Sequence, residues 1–359
     1  MGTECMAPSG EPMVSVVTAV RNAARFLPAA IESILWQTFT DFEFLLVEDG
    51  STDETFQIME SYRARDPRIR TWHLESDGIG ASLNFGCAMA RGKYIARMDG
   101  DDISLPDRFQ KQVSFLDKNP SVVVVGGGVE NIGEDDRPYD PVDLPPATDA
   151  EIRAVLRTRN CLAHSTIMMR RDVFNRTTGY RFIPGAEDYD LWLRMSDFGQ
   201  LANLPEILVK YRVHGSQAST QRLEELVLWV LAAGAAARMR RATGIDPIDK
   251  TTSITRELLS VLGVSDKVAE EAIRDQYLGQ ADAHSRMGAH ETALQILQSA
   301  GASAAIQDKE TLARIHMTIA KSHFKRGDSV RGISAIVRAL VFQPEFPVRW
   351  LGRHLGRGR

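Results

Sequence analysis

Three scarcities narrow what this chain of 359 residues can be. Cysteine is scarce: Cys5, Cys87 and Cys161 are odd in number, widely spaced and form no CxxC. That excludes a disulfide framework and a zinc ribbon and fits a reducing compartment, so a cytoplasmic location is expected. Long apolar runs are missing too. The longest, Leu226 to Ala237, is about half the roughly 20 residues that span a bilayer. Residues 1–12 carry Glu4 and Glu11 without an apolar stretch, so they read as a flexible leader and not a signal peptide. Met6 also breaks the N-myristoylation pattern. Positive charge is not in excess. Lys and Arg number 43 against 47 Asp and Glu, and the net charge of −4 gives no electrostatic reason to expect nucleic acid.

What is present is the texture of a soluble α/β protein. Val14 to Thr18, Phe42 to Val47, Ile69 to Leu74, Tyr94 to Met98 and Val122 to Val125 read as buried strands. Between them, Arg25 to Gln37 and Ala81 to Arg91 repeat apolar residues at helical spacing, and Pro106 opens a helix ending near Asn119-Pro120. Ser51 with Glu54 three residues on reads as a capping box. Such alternation implies a mostly parallel sheet with helices on both faces. Residues 133–150 form a polar, Pro-rich loop. A strand over Ser165 to Met169, a helix over Asp188 to Phe198 and a strand over Ile207 to Val213 complete the unit. After Ser219 the strands vanish and Ala, Leu, Arg and Glu dominate. A boundary is expected near 218, dividing an α/β domain (13–218) from an all-α C-terminal domain (219–359).

The stretch Tyr94-Ile95-Ala96-Arg97-Met98-Asp99-Gly100-Asp101-Asp102 is the most informative one. Three carboxylates within four residues end a buried strand, and such a density of negative charge calls for a cation or donor groups. Mg²⁺ or Mn²⁺, hard ions that share oxygen ligands with phosphates, are the simplest partners. On an extended segment Asp99 and Asp101 project to one side, with Asp102 one step round. The competing reading is a solvated acidic turn that caps the next helix. Open α/β sheets bind ligands at the carboxyl ends of their strands, which favours the site.

Val14-Ser15-Val16-Val17-Thr18, Glu48-Asp49-Gly50-Ser51-Thr52-Asp53, Asn84-x-Gly86, Arg97 to Asp102 and Glu187-Asp188-Tyr189-Asp190-Leu191-Trp192 occur in the order seen in family 2 glycosyltransferases, which the chain resembles over residues 13–218. The resemblance implies the GT-A (Rossmann-like) fold and an inverting, nucleotide-sugar-dependent enzyme, with a UDP-sugar as the favoured donor. It makes Asp99-x-Asp101-Asp102 the DxD motif: Asp99 and Asp101 on the donor side, Asp101 or Asp102 holding the metal. Asp49 and Thr18 would contact the nucleotide, with Asn22 shaping the adjoining loop. Val20 stands where an aromatic residue often stacks on the base, so base preference stays open. Asp188 would be the general base with Glu187 beside it, although two acids also simply stabilise a helix N-terminus. His214 would reach the metal or diphosphate. Arg97 and His164 would face the diphosphate or the acceptor cleft, or merely pack. A sugar or lipid-linked acceptor in cell-surface polysaccharide or glycolipid synthesis follows from the same resemblance, with peripheral contact at the inner face of the membrane.

Several features stand outside it. Gly126-Gly127-Gly128-Val129-Glu130-Asn131 fails as a dinucleotide fingerprint, because the sixth position is Asn and no helical pattern follows. In the tail, Gln280 to Gly288 echoes Ile319 to Gly327, a spacing longer than the about 34 residues of a tetratricopeptide repeat. Helical hairpins are expected there, with a protein partner as the bolder reading. The basic, apolar-interleaved stretch Arg349 to Arg359 could lie on an anionic leaflet or simply be a solvated tail. Two rival functions remain: a metal-dependent nucleotidyltransferase, for which residues 19–25 lack the Gly-rich triphosphate loop, and a non-catalytic scaffold built on the helical tail.

Overall fold

All seven residues of strand β1 (Val14–Val20) and all eight of β2 (Phe42–Asp49) are buried, as expected of β-branched and aromatic runs covered on both faces. A computed structural model describes residues 10–75, 78–138, 144–214, 223–286, 289–303, 309–325 and 327–343. Strands β3 (Ile69–Leu74) and β4 (Tyr94–Arg97) join the first two in a parallel set. Helices α1 (Leu27–Leu35), α2 (Thr55–Arg63) and α3 (Ile79–Ala88) make the crossovers. After β5 (Ile103–Ser104) and α4 (Arg108–Lys118), the sheet is extended by β6 (Val122–Ile132), β7 (Met168–Arg170) and β8 (Gln200–Arg212), giving the order β3-β2-β1-β4-β7-β6-β8-β5. This second half is mixed. β7 runs antiparallel to both β4 and β6, β6 pairs parallel with β8, and β5 pairs antiparallel with β8.

Parallel pairing of β1, β2 and β4 brings their carboxyl ends to one edge, where Val20, Asp49 and Arg97 sit. Two glycines let the layers close there. A Cβ on Gly86 would lie 2.6 Å from Val17 Cγ1, so α3 rests directly on β1. One on Gly100 would lie 2.4 Å from Val20 Cγ1, so the turn after β4 folds against the end of β1. Any side chain at either place would have to push the sheet and its cover apart.

Several boundaries differ from those read on the sequence. β6 runs straight through Gly126-Gly127-Gly128, because β8 begins at Gln200 and pairs with it throughout, with register shifts at the glycines. The expected strand over 165–169 begins only at Met168, since His164–Thr166 form a 3₁₀ turn. Ser51 does not cap α2. The helix starts at Thr55, whose N–H donates to the Asp53 carboxylate (3.1 Å), while Ser51 Oγ accepts from Asn22 N (2.9 Å). The competing loop contact wins because it ties the turn after β1 to the turn after β2. In the expected loop 133–150, residues 139–143 lie outside those described; α5 (Asp149–Val155) begins at its end, with a capping box between Thr148 and Glu151.

The described residues fall into two compact units, one within Met1–Val213 and Ala233–Ser253, the other within His214–Ala232 and Ile254–Arg359. The expected boundary at 218 lies outside the described residues, as do residues 1–9 of the leader and the basic stretch 349–359. Further along come α6 (Arg171–Phe174), α7 (Glu187–Met195), α8 (Leu223–Thr243) and α9 (Arg256–Val261). Then follow α10 (Asp266–Arg286), α11 (His290–Ala302), α12 (Lys309–Lys325) and α13 (Ser329–Phe342). The second unit's core joins Tyr277 and Ala281 to Leu297, Ile315, Ala320 and Ala335. The internal echo falls on equivalent faces of α10 and α12: Ala281 matches Ala320 and His284 matches His323, all four buried. Its positions 287, 288 and 326 lie outside the described residues. Among the described residues no helix is long and apolar enough to cross a membrane.

Candidate active site

The turn after β4 is organised by two buried arginines. Arg108 of α4 donates through Nη2 to the carbonyls of Arg97 (2.8 Å) and Ile167 (3.0 Å), and burial, with the nearby Arg97 charge, pulls its guanidinium down to about 9. It acts as a buried strut beneath the strand end. Arg97 is also buried and donates through Nη2 to Asp99 Oδ1 (2.5 Å), while its Nε and Nη1 have no hydrogen-bond partner. Asp99 Oδ2 accepts from Ser165 Oγ (2.6 Å), and Asp99 N donates to the same hydroxyl (3.2 Å). Burial works against the Asp99 charge, but the Arg97 guanidinium, with His164 and Ser165, outweighs it and holds the carboxyl below its usual range.

Asp102 is built differently. It is buried, its Oδ1 accepts from Arg212 N (2.8 Å), and its Oδ2 has no hydrogen-bond partner. Burial and the neighbouring Asp101 and Asp99 charges push its carboxyl well above the usual range. The Asp101 backbone carbonyl accepts from Arg212 Nε (2.8 Å), and the Asp101 side chain is half-exposed. Among the described residues no three His, Cys, Asp or Glu side chains form a metal-holding group. A protein-only cage is therefore not what these residues make. The residues do fit an ion held by one or two carboxylates and completed by phosphate and water, since Asp102 Oδ2 is a buried carboxyl oxygen outside every hydrogen bond of the fold, and a bound cation would favour its charged form. Asp99, engaged by Arg97 and Ser165, has less to offer such an ion. His214 falls in the second unit and is largely buried.

Along the same edge, Thr18 is buried at the end of β1 and its Oγ1 has no partner. Asp49 ends β2, and its Oδ1 accepts from Ser82 Oγ of α3 (3.0 Å). Asn22 adopts a left-handed backbone (φ 51°), and its carboxamide oxygen accepts from Thr52 N (2.8 Å). It fastens the two loops together at an exposed position. Neighbouring Glu48 is buried and accepts from Ser51 N and contacts His73 Nδ1.

Helix α7 presents Glu187 and Asp188 at its N-terminus because the rest of it is anchored. Trp192 and Leu191 are buried, and Asp190 Oδ2 pairs with Arg194 (2.7 Å). Asp188 Oδ1 accepts from Tyr189 N (2.6 Å) and its Oδ2 from Asn160 Nδ2 (2.8 Å). Glu187 Oε2 is buried without a partner. Burial, together with the adjacent Asp188 charge, pushes Glu187 up to about 7. Burial likewise pushes Asp188 up to about 6, against the two hydrogen bonds that favour its charge. The charges of Arg97 and Asp99 act on both acids, so the turn after β4 and the start of α7 share one cluster.

Tyr180 and His164 complete it. Both the N–H and the carbonyl of Tyr180 are bound by the Asn84 carboxamide of α3 (2.7 Å each), which explains Asn84 structurally. His164 Nε2 lies 3.0 Å from Tyr180 OH, and its ring meets Trp192 edge-on at 5.9 Å. Burial and the Arg97 charge keep His164 well below its ordinary value, so it is neutral at pH 7. Ser165, Asn160, Tyr180, Ser82 and Arg212 were not singled out on the sequence. Each is a single polar residue in a loop, in a helix or at a strand end, with no periodicity to mark it. Only Ser165 and Thr166, two polar residues opening the expected strand over 165–169, carry a signal that could have marked the turn there.

A raised carboxyl value has a consequence for stability. Between its free value of 4.5 and about 7, Glu187 holds its proton in the folded chain but not in the unfolded one. Folding is thus favoured as pH falls through that window, and the charge costs stability above it. Glu187→Gln is expected to raise the thermal midpoint at pH 8, with the gain vanishing as pH approaches 4.5. Melting curves across that range check it.

The model of glycosyl transferase family 2 matches residues 15–178. A relative from Escherichia coli, the O-antigen biosynthesis glycosyltransferase WbnJ, is 34% identical over 216 residues, which cover 58% of this chain and 82% of that one. The chain belongs to glycosyl transferase family 2 and is a glycosyltransferase, with relatives in polysaccharide biosynthesis. Among solved structures it is similar to S. aureus TarS 1-349 in complex with UDP-GlcNAc, at 16% identity and TM-score 0.53, covering 90% of each chain. It is similar as well to the mannosyltransferase PcManGT from Pyrobaculum calidifontis in complex with GDP-Man and Mn²⁺, at 16% identity and TM-score 0.52, covering 93% of this chain and 88% of that one. At those identities the likeness is one of fold.

Proposed function

We propose that the chain transfers a sugar from a nucleoside-diphosphate donor to an acceptor hydroxyl with inversion at the anomeric carbon. The reading is carried by one observation: a charged carboxylate–arginine pair at the end of β4 shares a cluster with a raised carboxyl, Asp188, at the start of α7. Thr18 and Asp49 line the nucleotide side, and Asp99 the donor side. Asp101 and Asp102 would hold Mg²⁺ or Mn²⁺, which when bound neutralises charge on the departing diphosphate. Asp188 takes the acceptor proton as the new C–O bond forms and the anomeric C–O bond to the diphosphate breaks. Its value of about 6 leaves it charged at pH 7 yet basic enough to accept a proton. Arg97 keeps two buried guanidinium nitrogens, Nε and Nη1, for an anionic oxygen, and neutral His164 with Tyr180 shapes the acceptor side.

A UDP-sugar is our favoured donor, with GDP-mannose the other nucleotide sugar seen on a neighbour of this fold. We assign catalysis to residues 13–218 and leave acceptor or partner recruitment to the helical remainder. For the acceptor we propose a sugar or lipid-linked precursor of a surface polysaccharide, met at the inner face of the membrane. The deciding experiment incubates the full chain with UDP- and GDP-sugars and Mn²⁺ and identifies the nucleotide product. Release of nucleoside diphosphate is expected. Pyrophosphate would mean nucleotidyl transfer, and no turnover with any donor would favour the scaffold.

A further inference from the structure

Asn160 stands in the segment between α5 and the 3₁₀ turn, away from every motif of the sequence. Its carboxamide is held at both ends. The oxygen accepts from Leu162 N (3.0 Å), and because a backbone N–H can face only an acceptor, the amide orientation is settled. The NH₂ group therefore points at Asp188, donating to Oδ2 at 2.8 Å. Tyr189 N holds the other carboxylate oxygen at 2.6 Å. With one donor on each oxygen, the carboxylate cannot rotate, and one lone pair per oxygen is left for an incoming hydroxyl.

We infer that Asn160 is a positioning residue that orients the Asp188 carboxylate toward the acceptor hydroxyl. This rests on Asp188 being the base. The titratable groups facing Asp188 are Glu187 on its own helix, Arg97 at the end of β4, Asp99 in the turn that follows, and the neutral Tyr180 phenol from the loop before α7. Burial raises Asp188, and the Asn160 bond opposes that by favouring the charged form. Deleting the bond must therefore move the acid limb of the pH–rate profile to higher pH.

The experiment measures nucleoside-diphosphate release from the donor that turns over, among UDP- and GDP-sugars with Mn²⁺, across pH 5–9. Asn160→Ala is expected to lower turnover about ten- to a hundredfold, the range for losing a hydrogen bond to a charged group. Its acid limb should rise by about one pH unit, with binding of UDP or GDP unchanged by calorimetry. Asn160→Asp retains an acceptor for Leu162 N and so preserves the turn, yet it replaces the donor with a second carboxylate. It should shift the limb further, and it serves if the alanine variant does not fold. An unmoved acid limb in both variants would overturn the inference. Combining Asn160→Ala with Asp188→Asn separates the two readings. If Asn160 acts through Asp188, it costs nothing more in the Asp188→Asn background; an equal loss in both backgrounds removes the positioning role. Full activity of Asp188→Asn alone would instead sink the base assignment.

Discussion

Asp188→Asn is expected to cut transfer by about 10²–10⁴-fold, the usual contribution of a placed general base. The substitution changes little else. The side chain keeps its size, and its oxygen can still accept from one of the two donors that now hold the carboxylate, Tyr189 N and Asn160 Nδ2. What it loses is the ability to take a proton. Affinity for UDP or GDP with Mn²⁺ should stay within a few-fold of the original, because Thr18, Asp49 and Asp99 are untouched. The parent enzyme's turnover should fall as pH drops through about 6, where Asp188 gains its proton, with Glu187 at about 7 broadening the limb. In Asp188→Asn that limb should be gone. Turnover near the parent level, or an acid limb that survives the change, would show that another group takes the proton.

How far the sequence reaches differs between the sheet and the site. The strands β1, β2 and β4 were legible because each is a short apolar run buried on both faces, and that pattern has few other outcomes. Asp99, Asp101 and Asp102 were legible as a group, because their charge contradicts the strand that delivers them. Their division of labour was not. Asp99 pairs with Arg97 two residues away and accepts a hydrogen bond from Ser165 in a distant turn, whereas Asp102 receives a backbone N–H from Arg212, at the far end of β8. The Ser165 and Arg212 contacts join residues remote in sequence and are set by tertiary packing, and local periodicity carries no trace of them. The same holds for Ser51, whose local cap signal lost to a contact with Asn22, and for the glycine run of β6, which only its pairing with β8 keeps extended. Asn22, expected to shape the loop on the nucleotide side, gives its carboxamide oxygen to Thr52 N of the turn after β2.

Removing divalent metal should abolish transfer, with Mn²⁺ or Mg²⁺ restoring it, and Asp102 is where the effect should concentrate. A buried carboxyl set beside two other acidic side chains costs folding free energy, so its presence asks for a compensating function. Asp102→Asn removes the charge and retains an oxygen for the Arg212 N–H. In chelator at pH 8 the variant should melt no lower than the parent protein, since it no longer buries a carboxyl whose ionisation burial and the neighbouring Asp101 and Asp99 oppose. With added Mn²⁺ and UDP or GDP, the parent's midpoint should climb with concentration, because a ligand that binds only the folded state stabilises it by mass action. The Asp102→Asn midpoint should stay flat over the same range, and its transfer should remain at background. A purely structural Asp102, serving only to hold the end of β8 through Arg212, predicts the reverse: a variant unchanged in its response to metal, and a parent enzyme whose turnover is indifferent to chelator.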